Sequence, residues 1–288
     1  MNNEYGGAVM GGGSTTVFDA APARARHASR GAPAAGSAPV RALQRQLVDL
    51  ASQRYRSNGR FAYHFARGKL GGDPMFIELL RLGAFSGQRG VGTRFLDLGC
   101  GQAVFASWMV AARDLADEGR WPEGWPEPPR VATVRALELM PADVARGQAG
   151  FADEPRVQVE HADICQADFG LVDVVTILDV VHYIPPDAQD GVLQRIRTAL
   201  APGGVLVMRV GDASGGWPYR LSRWADQTIT LGRGHGWARL HCRPVADWSA
   251  ALHALGFQVH AVPTPGGLPF ANVLLIAHVP HSPAEGAA

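Results

Sequence analysis

The chain is predicted to fold as an α/β protein: one open, mostly parallel sheet of seven strands with helices on both faces. Three observations carry this. Apolar runs of strand length alternate with helix-periodic stretches through most of the 288 residues. Runs such as Val172 to Leu178 show almost no polar alternation, as strands covered on both faces do. The run Phe95-Leu96-Asp97-Leu98 passes straight into Gly99-Cys100-Gly101 and then into a helical pattern. Glycines there let the backbone turn sharply and let a ligand approach it closely.

The elements follow in order. Met1 to about Pro39 has too few large apolar groups to offset ordering entropy and is expected as a disordered tail. Val40 to Arg56 reads as a helix, with Leu43, Leu47, Leu50, Ala51 and Tyr55 on one face. Ser57 to Pro74 is a polar, glycine-punctuated segment, and Met75 to Leu82 a short helix. Residues 40–90 precede the sheet and are placed to serve as a helical lid.

The sheet region spans 91–280. Arg94 to Leu98 is its first strand and Gln102 to Asp117 its first helix. The prolines of Trp121 to Pro129 forbid a helix interior, so this is an irregular insertion. Val131 to Leu139 is the second strand, and Pro141 opens the next helix where its missing N–H costs little. Arg156 to Glu160 and Val172 to Leu178 are the third and fourth strands. Asp187 to Leu200 is a helix ended by Ala201-Pro202-Gly203-Gly204, and Val205 to Val210 is the fifth strand. A basic and aromatic insertion occupies 211–243. Pro244 to Leu255 is a helix, Phe257 to Val262 and Asn272 to His278 are the last two strands, and 281–288 is a second tail.

Composition narrows the function classes. A formal net charge of +1 gives no global case for nucleic acid. Three cysteines argue against a disulfide framework and for a reducing, cytoplasmic setting. No Cys or His spacing fits zinc, so no metal is expected. The longest apolar run, Val172 to Ile184, is too short for a membrane span and carries Asp173, Asp179 and His182. The N-terminus lacks a signal-peptide pattern.

The glycine turn has two rival ligands. A dinucleotide-binding turn would need glycine at Val104, and a carboxylate at Asp97 would repel pyrophosphate. Asp97 instead favours a ligand with positive charge, such as S-adenosylmethionine. The string FLDLGCG resembles the first motif of class I S-adenosylmethionine-dependent methyltransferases, with Ala103 where many members have a third glycine. Further segments match that family in order. Glu138 ends the second strand, and the insertion at Trp121 to Pro129 explains its distance from the turn. Asp163-Ile164 follows the third strand, Leu178-Asp179-Val180-Val181-His182-Tyr183 ends the fourth, and APGGVLVMRV holds the fifth.

The resemblance implies a seven-stranded Rossmann-like fold with S-adenosyl-L-methionine as cofactor. It assigns cofactor contacts to Asp97, Gly99, Cys100, Gly101, Glu138, Leu139, Asp163, Ile164 and Leu178. Glu138 would accept from the ribose hydroxyls, Asp163 would meet the adenine amino group, and Ile164 would pack on the ring. The segments YRSNGRFAYHFARGKLGGDP, ILDVVHYIPP and RGHGWARLHCRP are similar to bacterial methyltransferases of aryl-polyene-type pigment pathways.

Catalysis then needs alignment, and a base only if the acceptor must lose a proton. His182 fits that role because imidazole titrates near neutral pH. Asp179 is the alternative base, or the group that orients His182. Arg60 and His64 stand four apart and would share a helical face, with Arg67 and Lys69 following. Together with Tyr183 and Arg220 they could meet an anionic or phenolic acceptor. The sequence therefore reads as a methyltransferase acting on a small or acyl-carrier-bound molecule, by O-methylation of a phenol or carboxylate or C-methylation of a ring. A nucleotide-dependent oxidoreductase and a non-catalytic binding protein of the same fold stay open. The oligomeric state is not encoded in any pattern found.

Overall fold

The computed structural model describes residues 33–86, 92–211, 241–263 and 272–281. Most of the two expected tails and of the basic insertion at 211–243, including Arg220, lies outside the described residues.

The N-terminal part holds α1 (Ala38–Gln53), α2 (Arg60–Gly72) and α3 (Met75–Arg81), with a short 3₁₀ turn at Arg56–Asn58. The first helix stops at Gln53, before the expected Arg56, and Tyr55 turns inward and is fully buried. The segment expected as polar and glycine-punctuated is instead the regular helix α2. Its Ala62, Ala66 and Leu70 lie at helical spacing and are fully buried. That stripe supplies the packing that offsets the poor helix propensity of Gly68, Gly71 and Gly72. Gly71 sits 3.8 Å from Val48 of α1, measured from the position of a Cβ, so a small residue suits this crossing.

The sheet has seven strands: β1 (Thr93–Leu98), β2 (Val131–Glu138), β3 (Val157–His161), β4 (Val172–Leu178), β5 (Leu200–Gly211), β6 (Gln258–Pro263) and β7 (Asn272–His278), in the order β3-β2-β1-β4-β5-β7-β6. The pairs among β1 to β5 are parallel, while β7 runs antiparallel to both β5 and β6. The strand β5 begins earlier than expected. Its register jumps from Leu200 to Val205 against β4, so the Ala-Pro-Gly-Gly segment is a bulge, with Gly203 at a φ of 78°. Helices α4 (Val104–Asp117), α5 (Pro141–Gly150), α6 (Pro186–Ala199) and α7 (Val245–Ala254) connect the strands.

Neighbouring residues on a strand enter different cores. Phe95, Val174, Val205 and Val207 join the core beneath α1 to α5. Leu96, Val175, Leu206 and Met208 join the one beneath α6 and α7. This two-sided burial makes the sheet doubly wound. Parallel pairing brings the carboxyl ends of β1, β2, β4 and β5 to one edge, where ligands of open α/β sheets bind.

Among the described residues, no helix is long and apolar enough to cross a membrane.

Candidate active site

The site begins where β1 ends. Gly99, Gly101 and Ala103 take φ values of 69°, 58° and 62°. Gly99 is required twice over, because a Cβ there would meet the Val180 side chain at 2.4 Å. The amides of Gly99 and Cys100 donate to the Leu137 carbonyl at 2.8 and 3.0 Å, which ties the turn to β2. Cys100 is buried, and burial pushes its thiol up, so it stays uncharged.

Ala103 holds a left-handed backbone that costs an L-residue about 1–2 kcal/mol. The N-terminal helices support it. The buried Tyr55 hydroxyl donates to the carbonyls of Gln102 and Ala103, at 2.9 and 3.1 Å. The Gln102 side chain donates in turn to the Ala62 carbonyl of α2 at 2.8 Å. Burial raises the Tyr55 pKa, which keeps the phenol a donor.

Two acids, Asp97 and Glu138, flank the turn, and a third, Asp163, follows β3. Asp97 is 3% exposed. Its Oδ1 accepts from the Thr176 hydroxyl at 2.6 Å, and its buried Oδ2 has no partner among the described residues. Burial pushes this carboxyl up to about 7, the Thr176 hydroxyl counteracts and the Glu138 charge adds to the rise. Glu138 accepts from the Gly101 amide at 2.7 Å and from the Met140 amide at 2.9 Å. Each of its oxygens keeps a further lone pair for a hydroxyl donor. Leu139 is exposed beside it.

Asp163 accepts from the Cys165 amide at 2.8 Å and from the Gln166 side chain at 3.3 Å. Ile164 is 8% exposed and belongs to the core beneath α6, so little of it is left to face a ring. Arg195 of α6 shapes this loop, donating to the carbonyls of Ile164 and Ala167 and lying 4.6 Å over the Phe169 ring. Leu178 is half-buried at the end of β4.

Past β4 the arrangement differs from the sequence-based expectation. Asp179, at a φ of 61°, does not orient His182. Its oxygens are taken by Arg209 Nε and Nη2, and by Lys69 Nζ at 3.0 Å. Burial alone would raise its pKa, but the Arg209 and Lys69 charges outweigh burial and hold the carboxylate well below its usual range. A carboxylate held that firmly in ionised form is a poor proton acceptor.

His182 is buried, its Nε2 has no partner among the described residues, and its ring lies 4.4 Å from that of Tyr183. Burial lowers its pKa and Arg209 adds to this against the pull of Asp179, so the ring is neutral at pH 7. Tyr183 is partly exposed beside it.

Arg60 and His64 do share α2, and both are exposed. Arg67 and Lys69 are engaged already, Arg67 with Asp49 at 2.6 Å and Lys69 with Asp73 and Asp179 at 3.0 Å each. Sequence reasoning missed Arg209, Asp73, Thr176 and Tyr55 as members of this edge. Arg209 carried a legible signal, as the one charged residue of an otherwise apolar central strand, and Thr176 a weaker one, since Asp173 shares its strand. The described residues include no group of three or more His, Cys, Asp or Glu placed to hold a metal ion.

Residues 65–262 match the family model of the methyltransferase domain. A carboxy-S-adenosyl-L-methionine synthase of Chromohalobacter salexigens is 29% identical over 120 residues, 41% of this chain and 39% of that protein. One of Aeromonas hydrophila is 26% identical over 119 residues, 40% of this chain and 42% of that protein. The chain thus spans less than half the length of these curated relatives.

Among solved structures, an O-methyltransferase family 2 protein from Planctomyces limnophilus in complex with apigenin superposes with a TM-score of 0.53 at 15% identity, over 80% of this chain and 64% of that one. The CurJ carbon methyltransferase gives 0.50 at 16% identity, over 84% and 68%. At that identity the likeness is one of fold. With more than half of its length inside the matched domain, the chain belongs to the class I S-adenosylmethionine-dependent methyltransferase family.

Proposed function

We propose that the protein transfers a methyl group from S-adenosyl-L-methionine to a small or carrier-bound acceptor, by O-methylation of a phenol or carboxylate in preference to C-methylation of an aromatic ring. The observation that carries this is the buried Oδ2 of Asp97, which has no partner among the described residues and lies beside the glycine turn, one strand from Glu138. A buried carboxylate oxygen without a donor fits a cationic ligand and rejects pyrophosphate.

When bound, the cofactor supplies a methyl group already activated by its sulfonium. The chain must align donor and acceptor and exclude water. In this reading Asp97 meets the ammonium, Glu138 the ribose hydroxyls, and Asp163 the adenine amino group. Leu139, which is 56% exposed, covers the base. His182 takes the acceptor's proton at Nε2. Arg60, His64 and Tyr183 face the acceptor, and α1 and α2 act as the lid. The similarity of the flanking segments to aryl-polyene-pathway methyltransferases favours an aromatic or acyl-carrier-bound acceptor.

The relatives named carboxy-S-adenosyl-L-methionine synthase support a second reading, in which the product is a modified cofactor. Against it, Lys69 and Arg209 are both already paired with Asp73 and Asp179, which leaves neither cation free for an added carboxylate.

Calorimetric titration with S-adenosylhomocysteine and, separately, NADH tests the class. Binding of NADH alone would refute it. A labelled-methyl screen over phenols, carboxylic acids and acyl-carrier conjugates, with mass spectrometry of the spent cofactor, separates the two readings.

A further inference from the structure

Thr176 has no place in the roles above, yet it is one of the few polar residues of the sheet that is fully buried. It lies on β4 directly beside Asp97 of β1 in the parallel register. Both side chains therefore stand on the face beneath the glycine turn, with Val174 and Phe95. Its neighbours along β4 are Val174, Val175, Ile177 and Leu178. A hydroxyl in such a strand costs free energy unless it is bonded. Its bond is the one to Asp97 Oδ1 at 2.6 Å, a charge-assisted distance.

That bond has a directional consequence. A threonine hydroxyl carries one proton, and here it is spent on one carboxylate oxygen. The β-branched side chain is stiff at χ1, so the carboxylate plane is fixed from one side. Oδ2 is then the oxygen left without a donor among the described residues. The other groups near it cannot fill that role. Glu138 is acidic and is bonded to the amides of Gly101 and Met140. The Tyr55 hydroxyl is spent on the carbonyls of Gln102 and Ala103, and the Cys100 thiol on the carbonyl of Gly101 at 3.4 Å.

We propose that Thr176 is a positioning residue for the cofactor: by holding Oδ1 it aims Oδ2 of Asp97 at the α-ammonium of the cofactor's amino-acid end. The inference rests on the S-adenosylmethionine reading of the site and adds to it what holds Asp97 in the orientation that the ammonium needs. The hydroxyl also favours the ionised carboxylate that a cation needs.

Two ligands separate positioning from mere structure. S-adenosylhomocysteine carries the amino-acid end, and 5′-methylthioadenosine keeps the nucleoside and thioether without it. Thr176→Val preserves shape and removes the hydroxyl, and Thr176→Ser restores it. In Thr176→Val, affinity for S-adenosylhomocysteine at pH 7 should fall about tenfold, while that for methylthioadenosine stays within about twofold. Thr176→Ser should bind both nearly as the wild type does.

Equal losses for the two ligands, or none for S-adenosylhomocysteine, would overturn the proposal and leave the cofactor reading standing. A wild type that binds neither ligand overturns both. Should Thr176→Val fail to fold, the wild type decides. Its S-adenosylhomocysteine affinity should climb as Asp97 ionises through about pH 7, and that for methylthioadenosine should stay flat. Two flat profiles overturn the assignment.

Discussion

One nitrogen of Arg209, Nη1, donates to both carboxylate oxygens of Asp73, at 2.7 and 2.6 Å, across 136 residues of sequence. The same guanidinium binds Asp179 through its other nitrogens. Arg209 is 4% exposed, so a single buried cation joins the segment after α2 to the ends of β4 and β5. Removing one partner of a buried pair leaves an uncompensated charge. Arg209→Met should therefore destabilise the protein by about 3–5 kcal/mol. Asp73→Asn, which leaves Asp179 in place, should cost about 1–3 kcal/mol. Urea unfolding measures both, and two variants as stable as the wild type would show the cluster to be energetically neutral.

Glu138 links the glycine turn to the start of α5 through two amides. If it also accepts the ribose hydroxyls, Glu138→Ala should weaken S-adenosylhomocysteine binding by at least about tenfold, roughly 1.4 kcal/mol. Glu138→Gln, which keeps one carbonyl acceptor, should lie between. Unchanged affinity in a folded Glu138→Ala protein would remove Glu138 from the cofactor site.

His182 separates the acceptor classes. If the acceptor must lose a proton, His182→Ala should slow transfer about 10²–10⁴-fold with cofactor affinity little changed. Burial lowers its pKa from 6.5, so the wild-type rate should rise with pH on the acid side of that value and be level at pH 7. That limb should vanish in the variant. A wild-type rate and profile in His182→Ala would point to a carboxylate acceptor, already ionised, with His182 a packing residue.

The pH dependence of stability should have two opposite parts. The hydrogen bond from Arg156 holds Glu154 down, to about 2, and Arg209 and Lys69 hold Asp179 below its usual range. A depressed carboxylate contributes stability above its unfolded value that is lost as pH falls through the folded one. Asp97 works the other way. Its folded value near 7 favours the protonated form, so its contribution is full below the unfolded 3.8 and is lost as pH rises toward 7. The loss is on the order of 4 kcal/mol. Without ligand, Asp97→Asn should abolish the decline between about pH 4 and 7 while acid unfolding below it persists. Thermal melts across pH check this, and an unchanged slope would refute the raised value.

Much of the architecture was legible because it rests on local chemistry. Val172–Leu178 and Asn272–His278 were placed residue for residue by apolar runs between turn signals. The glycine turn was legible because Gly99 and Gly101 occupy backbone conformations that side chains rarely take. Glu138 was readable as an acid closing an apolar strand. Helix α2 was missed because its glycines argue against a helix locally, and only docking against α1 makes the Ala62, Ala66, Leu70 stripe worth burying.

The antiparallel insertion of β7 between β5 and β6 likewise has no sequence signature. The same holds for the pairs that shape the site: Thr176 with Asp97, Tyr55 with the Ala103 carbonyl, and Arg209 with Asp73. Each joins residues brought together by strand order and helix docking. Periodicity and turn chemistry specify which segments form strands and helices, and they say nothing about which side chain from another segment arrives beside a given carboxylate. That was decided by tertiary packing, and with it the ionisation of Asp97, the occupation of Asp179 and the neutrality of His182.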